Sequence, residues 1–306
     1  IVQNEQIVSR GYHKEYGGPH AEVEAINNCD IELIDATMYV TLEPCNHDGK
    51  TPPCTKLIDP NKFKRIVIAS RDPNPIIDNG LQKLVDKGLK VEFNICEKEA
   101  KFINRRFFTF HEKKRPFVIL KYAATMDGFI SEKNGHSKWI TSQKSRFSVH
   151  ELRSTCDAIL VGRRTVQLDN PSLTSHGLGA DPKIVILDPS NKINEEYKAI
   201  NKNTIHLTDE LIEDKPVDNI QNILKKLHSL NIQSVIVEGG ATTLTSFIDS
   251  GLFDEMHTYY APKLIGDGIS IYNTKKKISD SLNLHILKKE IFDNDIKITY
   301  YNKRAK

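Results

Sequence analysis

Apolar and polar residues alternate along this chain in short runs that read as strands, with stretches of helical spacing between them. Residues 36–42, 66–70 and 90–95 predict three strands. Between the last two, Leu81-Gln82-Lys83-Leu84-Val85 has helical spacing, and Gly88 supplies a stop. The opening Ile1-Val2, a polar turn and Ile7-Val8 predict a hairpin entered midway. Residues 97–110 predict one helix. The charged run His111-Glu112-Lys113-Lys114-Arg115-Pro116 then marks a boundary between domains 1–113 and 114–306. Further strands are predicted at 117–121, 157–161, 234–237, 283–290 and 296–301. Ser142 is placed to cap a helix running to about Arg153. Strands alternating with helices predict layered α/β domains.

The pattern becomes chemical at His20-Ala21-Glu22, Pro44-Cys45 and Cys54. Alone, His20 reads as a helix cap and each cysteine as a buried thiol. Together, one imidazole and two thiolates suffice to hold zinc and leave its fourth position to water. Zinc lowers the pKa of such a water toward neutrality. Glu22, two residues from His20, is no ligand and is placed to carry the water's proton to a leaving amine. This order of residues is that of zinc nucleobase deaminases, apart from the eight residues, 46–53, between the cysteines. Helix starts are predicted just after His20 and at Pro44-Cys45, where a helix N-terminus favours thiolate.

Composition narrows the alternatives. Hydrophobic residues at 39% and charged residues at 27% describe a globular chain, and a net charge of +3 over 306 residues gives no nucleic-acid footprint. Five cysteines, with Cys29, Cys96 and Cys156 outside the motif, fit a reducing cytoplasm. There is no long apolar run, so no membrane partner is expected. No Gly-x-Gly-x-x-Gly occurs, which removes support for a Rossmann dinucleotide site. Gly239-Gly240 and Gly162-Arg163-Arg164-Thr165 at strand ends read either as ordinary turns or as phosphate cradles.

The first third resembles a known family through Gly11-Tyr12-His13, Gly18-Pro19-His20-Ala21-Glu22-Val23-Glu24-Ala25, Thr41-Leu42-Glu43-Pro44-Cys45-Asn46-His47, Gly49-Lys50-Thr51-Pro52-Pro53-Cys54 and Asp72-Pro73-Asn74-Pro75. It is similar to the deaminase half of the bifunctional deaminase/reductases of riboflavin biosynthesis, and the eight-residue spacing is that family's own. The rest resembles the reductase half through Lys121, Thr125-Met126-Asp127-Gly128, Trp139-Ile140-Thr141, Asp169-Asn170-Pro171, Glu238-Gly239-Gly240 and Ala261-Pro262-Lys263-Leu264. Val161-Gly162-Arg163-Arg164-Thr165 resembles the phosphate-holding turn of dihydrofolate reductases.

The resemblance implies a cytidine-deaminase-like three-layer domain followed by a dihydrofolate-reductase-like domain, with one Zn2+ and NADPH as cofactors. It implies deamination of a diaminopyrimidinone carrying a phosphoribosylamino group, then reduction of the ribosyl group to ribityl. Ala123, Trp139, Thr165, Asp169 and Gly240-Ala241-Thr242-Thr243-Leu244-Thr245-Ser246 are expected on NADPH. Ser137, Arg153, Leu173, His176 and Glu238 are expected on the ribosyl phosphate, and His13 and Lys50 on the pyrimidine. His176 stands where the family has arginine, and histidine carries only part of a charge at neutral pH. Arg163 or Arg164 is expected to read the cofactor's 2′-phosphate, and Asp169 or Lys121 to donate the reductive proton. Partners are expected to be small pyrimidine ribosyl phosphates and further copies of the chain.

The family has a helix and a Ser-Pro-Asn-Pro-like turn before the point where Ile1 begins. The resemblance therefore implies weak deamination and normal reduction by this polypeptide. Two rivals remain at this stage. A deaminase of free nucleosides or tRNA leaves the second half unexplained. A zinc-stapled scaffold calls for four protein ligands, and only three fit the pattern.

Overall fold

A computed structural model describes residues 1–15, 17–75, 79–208, 216–272 and 277–305. The chain divides into two compact units, Ile1–Glu112 and Lys113–Lys306. In the first, β1 (Val2–Gln3), β2 (Gln6–Ile7), α1 (Ala21–Asn27), β3 (Ala36–Val40), α2 (Cys54–Leu57), β4 (Phe63–Ile68), α3 (Gly80–Asp86), β5 (Lys90–Phe93), α4 (Glu97–Ile103) and α5 (Arg105–Lys113) follow one another. The sheet order is β2-β1-β3-β4-β5, antiparallel through β1 and parallel from β3 to β5. Ala36 and Met38 of β3, with Phe63, Ile66 and Ile68 of β4, point into one core with Ala25 of α1 and Leu84 of α3.

Two local expectations are corrected. No helix begins at Pro44-Cys45. Residues 43–53 form an irregular loop, and the short α2 begins at Cys54 behind Pro53. The start of α3 presses on this loop so closely that a Cβ on Gly80 would lie 2.0 Å from the Pro44 carbonyl oxygen. The Glu43 carboxylate accepts the Leu81 N–H at 2.7 Å and ties the two segments. The single helix expected at 97–110 is instead α4 and α5, separated at Asn104 (φ −95°, ψ 23°). Asparagine competes for backbone hydrogen bonds and suits helix ends better than interiors.

The second unit runs β6 (Phe117–Thr125), β7 (Phe129–Ser131), α6 (Gln143–Ser154), β8 (Ala158–Gly162), α7 (Arg163–Asp169), β9 (Lys183–Leu187), β10 (Ile205–Leu207), α8 (Pro216–Ser229), β11 (Ser234–Val237), α9 (Ala241–Ser250), β12 (Glu255–Ala261), β13 (Ile269–Ser270), β14 (His285–Phe292) and β15 (Asp295–Tyr301). Its main sheet has the order β10-β9-β8-β11-β6-β12-β15-β14. The strands are parallel from β10 to β12 and antiparallel beyond.

The continuous apolar runs of the central strands arise because both faces are covered. Val118, Leu120, Leu160, Val235 and Val237 face a core closed by α8 and α9. Their neighbours Phe117, Ile119, Ile159, Val161 and Ile236 face the opposite core, with Val166 and Leu173. Arg115 and Asp254 pin the entry to β6 with a buried two-pronged ion pair at 2.6 and 2.8 Å.

Ser142 caps α6, accepting the Ser145 N–H at 3.3 Å. Ser142→Ala is expected to destabilise the second unit by about 1 kcal/mol. A shift in the denaturant midpoint without a change in slope would register it. Among the described residues, no helix is long and apolar enough to cross a membrane.

Candidate active sites

In the first unit, chain entry and exit around the sheet bring three ligand atoms together. His20 is the N-cap residue of α1, Cys45 lies on the loop after β3, and Cys54 is the first residue of α2. His20 Nδ1 is 3.4 Å from Cys45 Sγ and 3.3 Å from Cys54 Sγ, and all three ligand atoms lie within 4.8 Å of one another. Zinc bond lengths and tetrahedral angles require an N–S edge of roughly 3.6 Å, so the donor set fits the ion.

Cys54 N–H donates to Cys45 Sγ at 3.3 Å, a contact that favours thiolate. The contact with Cys54 holds the Cys45 thiol well below its ordinary range and pushes Cys54 up. Two helix starts do meet at the site, with Cys54 rather than Cys45 at the second.

Glu22 is buried in the first turn of α1, beside the ligand His20 in sequence. Burial pushes its carboxyl above the usual carboxylate range. The His13 ring stands edge-on to His20 at 5.5 Å, held by a 3.0 Å contact between Nδ1 and the Pro19 carbonyl. Lys50 is exposed and lies against Gly17, where a Cβ would come 3.2 Å from Lys50 Cδ.

Two nearby residues received no individual role from the sequence. His47 Nδ1 is buried without a hydrogen-bond partner. Asp72 is pushed up to about 6 by burial, although the Asn74 N–H donates to it at 2.8 Å. Both lie inside quoted motifs, but a motif does not reveal which side chain turns inward.

The second unit has a cleft of about 840 Å³ at the C-terminal ends of β6, β8 and β11. Ligand sites in open parallel sheets form at this edge. Ala123, Ser137, Trp139, Thr165 and Asp169 line it, as do Arg153, Leu173, His176 and Glu238. From the glycine-turn run, Gly240, Ala241, Thr242, Thr243 and Ser246 line it too. Leu244 does not. It points into the core beside α8. Thr245 also turns away and donates to the Ile271 carbonyl at 2.9 Å. A helix spreads seven consecutive side chains around its axis, so they cannot all face one ligand.

Two helix starts, α7 and α9, meet at this cleft. Neither N-cap glycine, Gly162 or Gly240, supplies a side-chain cap, which leaves backbone N–H donors for a ligand. Gly162 and Gly239 are required by packing, since a Cβ on either would come within 2.7 Å and 2.5 Å of the Thr243 side chain. Gly240 has ordinary clearance, 3.7 Å from Thr165 Oγ1. Arg163 Nη1 is buried without a hydrogen-bond partner, and Arg163 and Arg164 both line the cleft. Free N–H groups beside a guanidinium whose Nη1 has no partner among the described residues fit a phosphate-bearing cofactor.

At the other side of the cleft, Glu238 joins two cations. Its Oε1 accepts Arg153 Nε at 2.7 Å, and its Oε2 accepts Arg153 Nη2 at 3.0 Å and Lys121 Nζ at 3.2 Å. Burial alone would raise Glu238, but Arg153 and Lys121 prevail and hold it at about 2. His150, which the sequence did not single out, joins this cluster from α6. Asp169 is near Lys138, at 3.9 Å.

The donor set and fold define a chain that joins a zinc-binding deaminase unit to a dihydrofolate-reductase-like unit. Comparison with known proteins gives the same division. Residues 1–70 match the cytidine and deoxycytidylate deaminase zinc-binding region, and residues 116–298 match the RibD C-terminal domain.

The riboflavin biosynthesis protein RibD of Aquifex aeolicus is 42% identical over 290 residues, covering 89% of this chain and 82% of that one. A Thermotoga maritima crystal structure aligns with a TM-score of 0.85 at 37% identity, covering 98% and 90% of the two chains. That protein is a diaminohydroxyphosphoribosylaminopyrimidine deaminase/5-amino-6-(5-phosphoribosylamino)uracil reductase. RibD of Acinetobacter baumannii aligns with a TM-score of 0.87 at 31% identity, with the same coverage. This chain belongs to the RibD family of bifunctional deaminase/reductases of riboflavin biosynthesis.

Proposed function

We propose that this chain deaminates 2,5-diamino-6-(5-phosphoribosylamino)pyrimidin-4(3H)-one and then reduces the ribosyl group of 5-amino-6-(5-phosphoribosylamino)uracil with NADPH. The observation that carries the specific substrate is the pairing of the His20-Cys45-Cys54 cluster with a cleft whose cations stand ready for phosphate.

Zinc, held by His20, Cys45 and Cys54, supplies Lewis acidity that makes a water nucleophilic near neutral pH. Glu22 accepts that water's proton and returns it to the departing amine. Its burial helps, because a raised carboxyl pKa brings donor and acceptor strengths closer. His13 and Lys50 orient the pyrimidine.

NADPH supplies the electrons of the second step. The N–H groups of α7 and α9 hold its phosphates, with Trp139, Thr165 and Ala123 along its length. Arg153 and His176 face the ribosyl phosphate. Lys121 is the proton donor in this scheme, because it shares Glu238 with Arg153 at the substrate's end of the cleft. Asp169 ends α7, the helix assigned to the cofactor. The purified zinc-loaded chain should release ammonia from the diaminopyrimidinone and oxidise NADPH only once the deaminated product exists. Ammonia release without NADPH oxidation would refute the second step.

The Arg163→Ala, Arg164→Ala double variant should bind NADPH about ten-fold more weakly or worse, because a charge-assisted contact to phosphate contributes about 1.5–3 kcal/mol. NADH, which lacks the 2′-phosphate, should be nearly unaffected. Fluorescence titration of both dinucleotides makes the comparison, and equal losses would move the phosphate contact elsewhere.

A further inference from the structure

The imidazoles of His150, on α6, and His176, on the loop after α7, meet in a tilted contact with ring centroids 4.0 Å apart and planes inclined at 43°. Both line the cleft beside Arg153 and Lys121. His150 Nδ1 meets Arg153 Nη1 at 3.5 Å. A guanidinium nitrogen can only donate, so His150 Nδ1 is the acceptor there and carries no proton. The guanidinium of Arg153 and the ammonium of Lys121 also oppose protonation of His150 by simple repulsion.

From α6 come His150 and Arg153. From β6 comes Lys121, and from the end of β11 comes Glu238, already shared by Arg153 and Lys121. The loop after α7 supplies His176 and the Thr174 carbonyl, which accepts Arg153 Nη1 at 3.1 Å. Asp181 lies near His176 but is engaged by the N–H and hydroxyl of Ser175. Tyr259 of β12 lines the cleft with its hydroxyl 3.2 Å from Ser148. Among the described residues, Glu238 is the carboxylate set between these cations, and it is already committed to both.

We propose that the ribosyl phosphate assigned above to Arg153 and His176 draws one proton onto His150 when it binds. A phosphate oxygen takes over the Arg153 N–H that His150 Nδ1 accepts in the free protein. The released nitrogen then takes a proton from solvent and donates it to a second phosphate oxygen. The free-state side of this cycle agrees with the electrostatics, since burial, then Arg153 and His176, push His150 down to about 4. His150 thereby becomes a phosphate-binding residue in this chain, and the grip on a sugar phosphate tightens as pH falls. This inference rests on the phosphoribosyl substrate proposed above.

The test is calorimetric titration of the full chain with ribose 5-phosphate between about pH 6.5 and 8.5, in buffers of different ionisation enthalpy. Over this range the ester is already mainly dianionic, so its own titration cannot weaken binding as pH rises. Expected is an uptake approaching one proton and a loss of affinity of about ten-fold or more across the range. His150→Gln keeps an acceptor for Arg153 but cannot be protonated, so it should bind with a pH dependence of about two-fold or less. His176→Asn tests the second ring with little risk to folding, because asparagine tolerates the positive φ of 54° found there.

Ribose 5-phosphate binding without proton uptake would overturn the inference and leave the substrate assignment standing. So would uptake that persists in both variants. Failure of ribose 5-phosphate to bind at any pH would overturn the assignment as well. A parallel titration with NADP+ separates the two sources of phosphate. Uptake accompanying NADP+ and lost in His150→Gln would give His150 to the cofactor and end the proposal.

Discussion

Glu22→Gln should retain zinc and lose deamination by about 10²-fold or more, the scale on which a positioned acid–base group acts. The ligand set does not include this side chain. His20 Nδ1 and the two sulfurs already form a triangle with edges suited to the ion. Glutamine preserves the shape and the buried position of Glu22 on α1 but cannot accept and return a proton. Reduction of the deaminated intermediate should be unchanged, since the reductase cleft is built from the second unit. Metal content, ammonia release and NADPH oxidation measured on the same preparation check this. Loss of zinc would make Glu22 a structural support of the ligands, and a parallel loss of reduction would mean that the substitution acts beyond its site.

The parts of the fold that were legible are those where burial is uniform. β6, β8 and β11 read as strands because each is apolar on both faces. The hairpin at the start and the cap at Ser142 were legible because they depend on local chemistry alone. β12 was not, although it lies between β6 and β15 in the sheet. Its sequence mixes Glu255, His257 and Thr258 with apolar residues, and these polar groups are buried. Glu255 and His257 meet each other at 3.0 Å, a compensation that no periodicity reveals.

The same distinction governs the sites. The zinc ligands were legible because metal chemistry fixes residue types and order. In the run from Gly240 to Ser246, residue types gave no sign that Leu244 and Thr245 turn away, which only the rotation of α9 decides. His150 was hidden because it lies three residues before Arg153 on an otherwise ordinary helix, and its significance appears only when the loop carrying His176 folds over it.

Glu238→Gln should be the most damaging single change in the second unit. The carboxylate receives three hydrogen bonds from two cations, while an amide offers one oxygen and a nitrogen that can only donate. Since Arg153 and Lys121 also have only donors, the amide nitrogen would face another donor in a buried setting. Breaking a buried ion pair from one side typically costs about 3–5 kcal/mol.

The pH dependence separates this from a simple packing defect. The folded-state carboxyl lies at about 2, below its ordinary value of 4.5, so its contribution is fully present above the unfolded value and disappears as pH falls toward 2. That displacement corresponds to about 3 kcal/mol. Denaturant unfolding should therefore show a large gap between wild type and variant at neutral pH that narrows between about pH 4.5 and 2. Reduction should fall by about 10²-fold through kcat, because Lys121 loses the partner that aims it, while ammonia release serves as the internal control. A gap that stays constant with pH would mean that Glu238 stabilises the unit by shape rather than by charge.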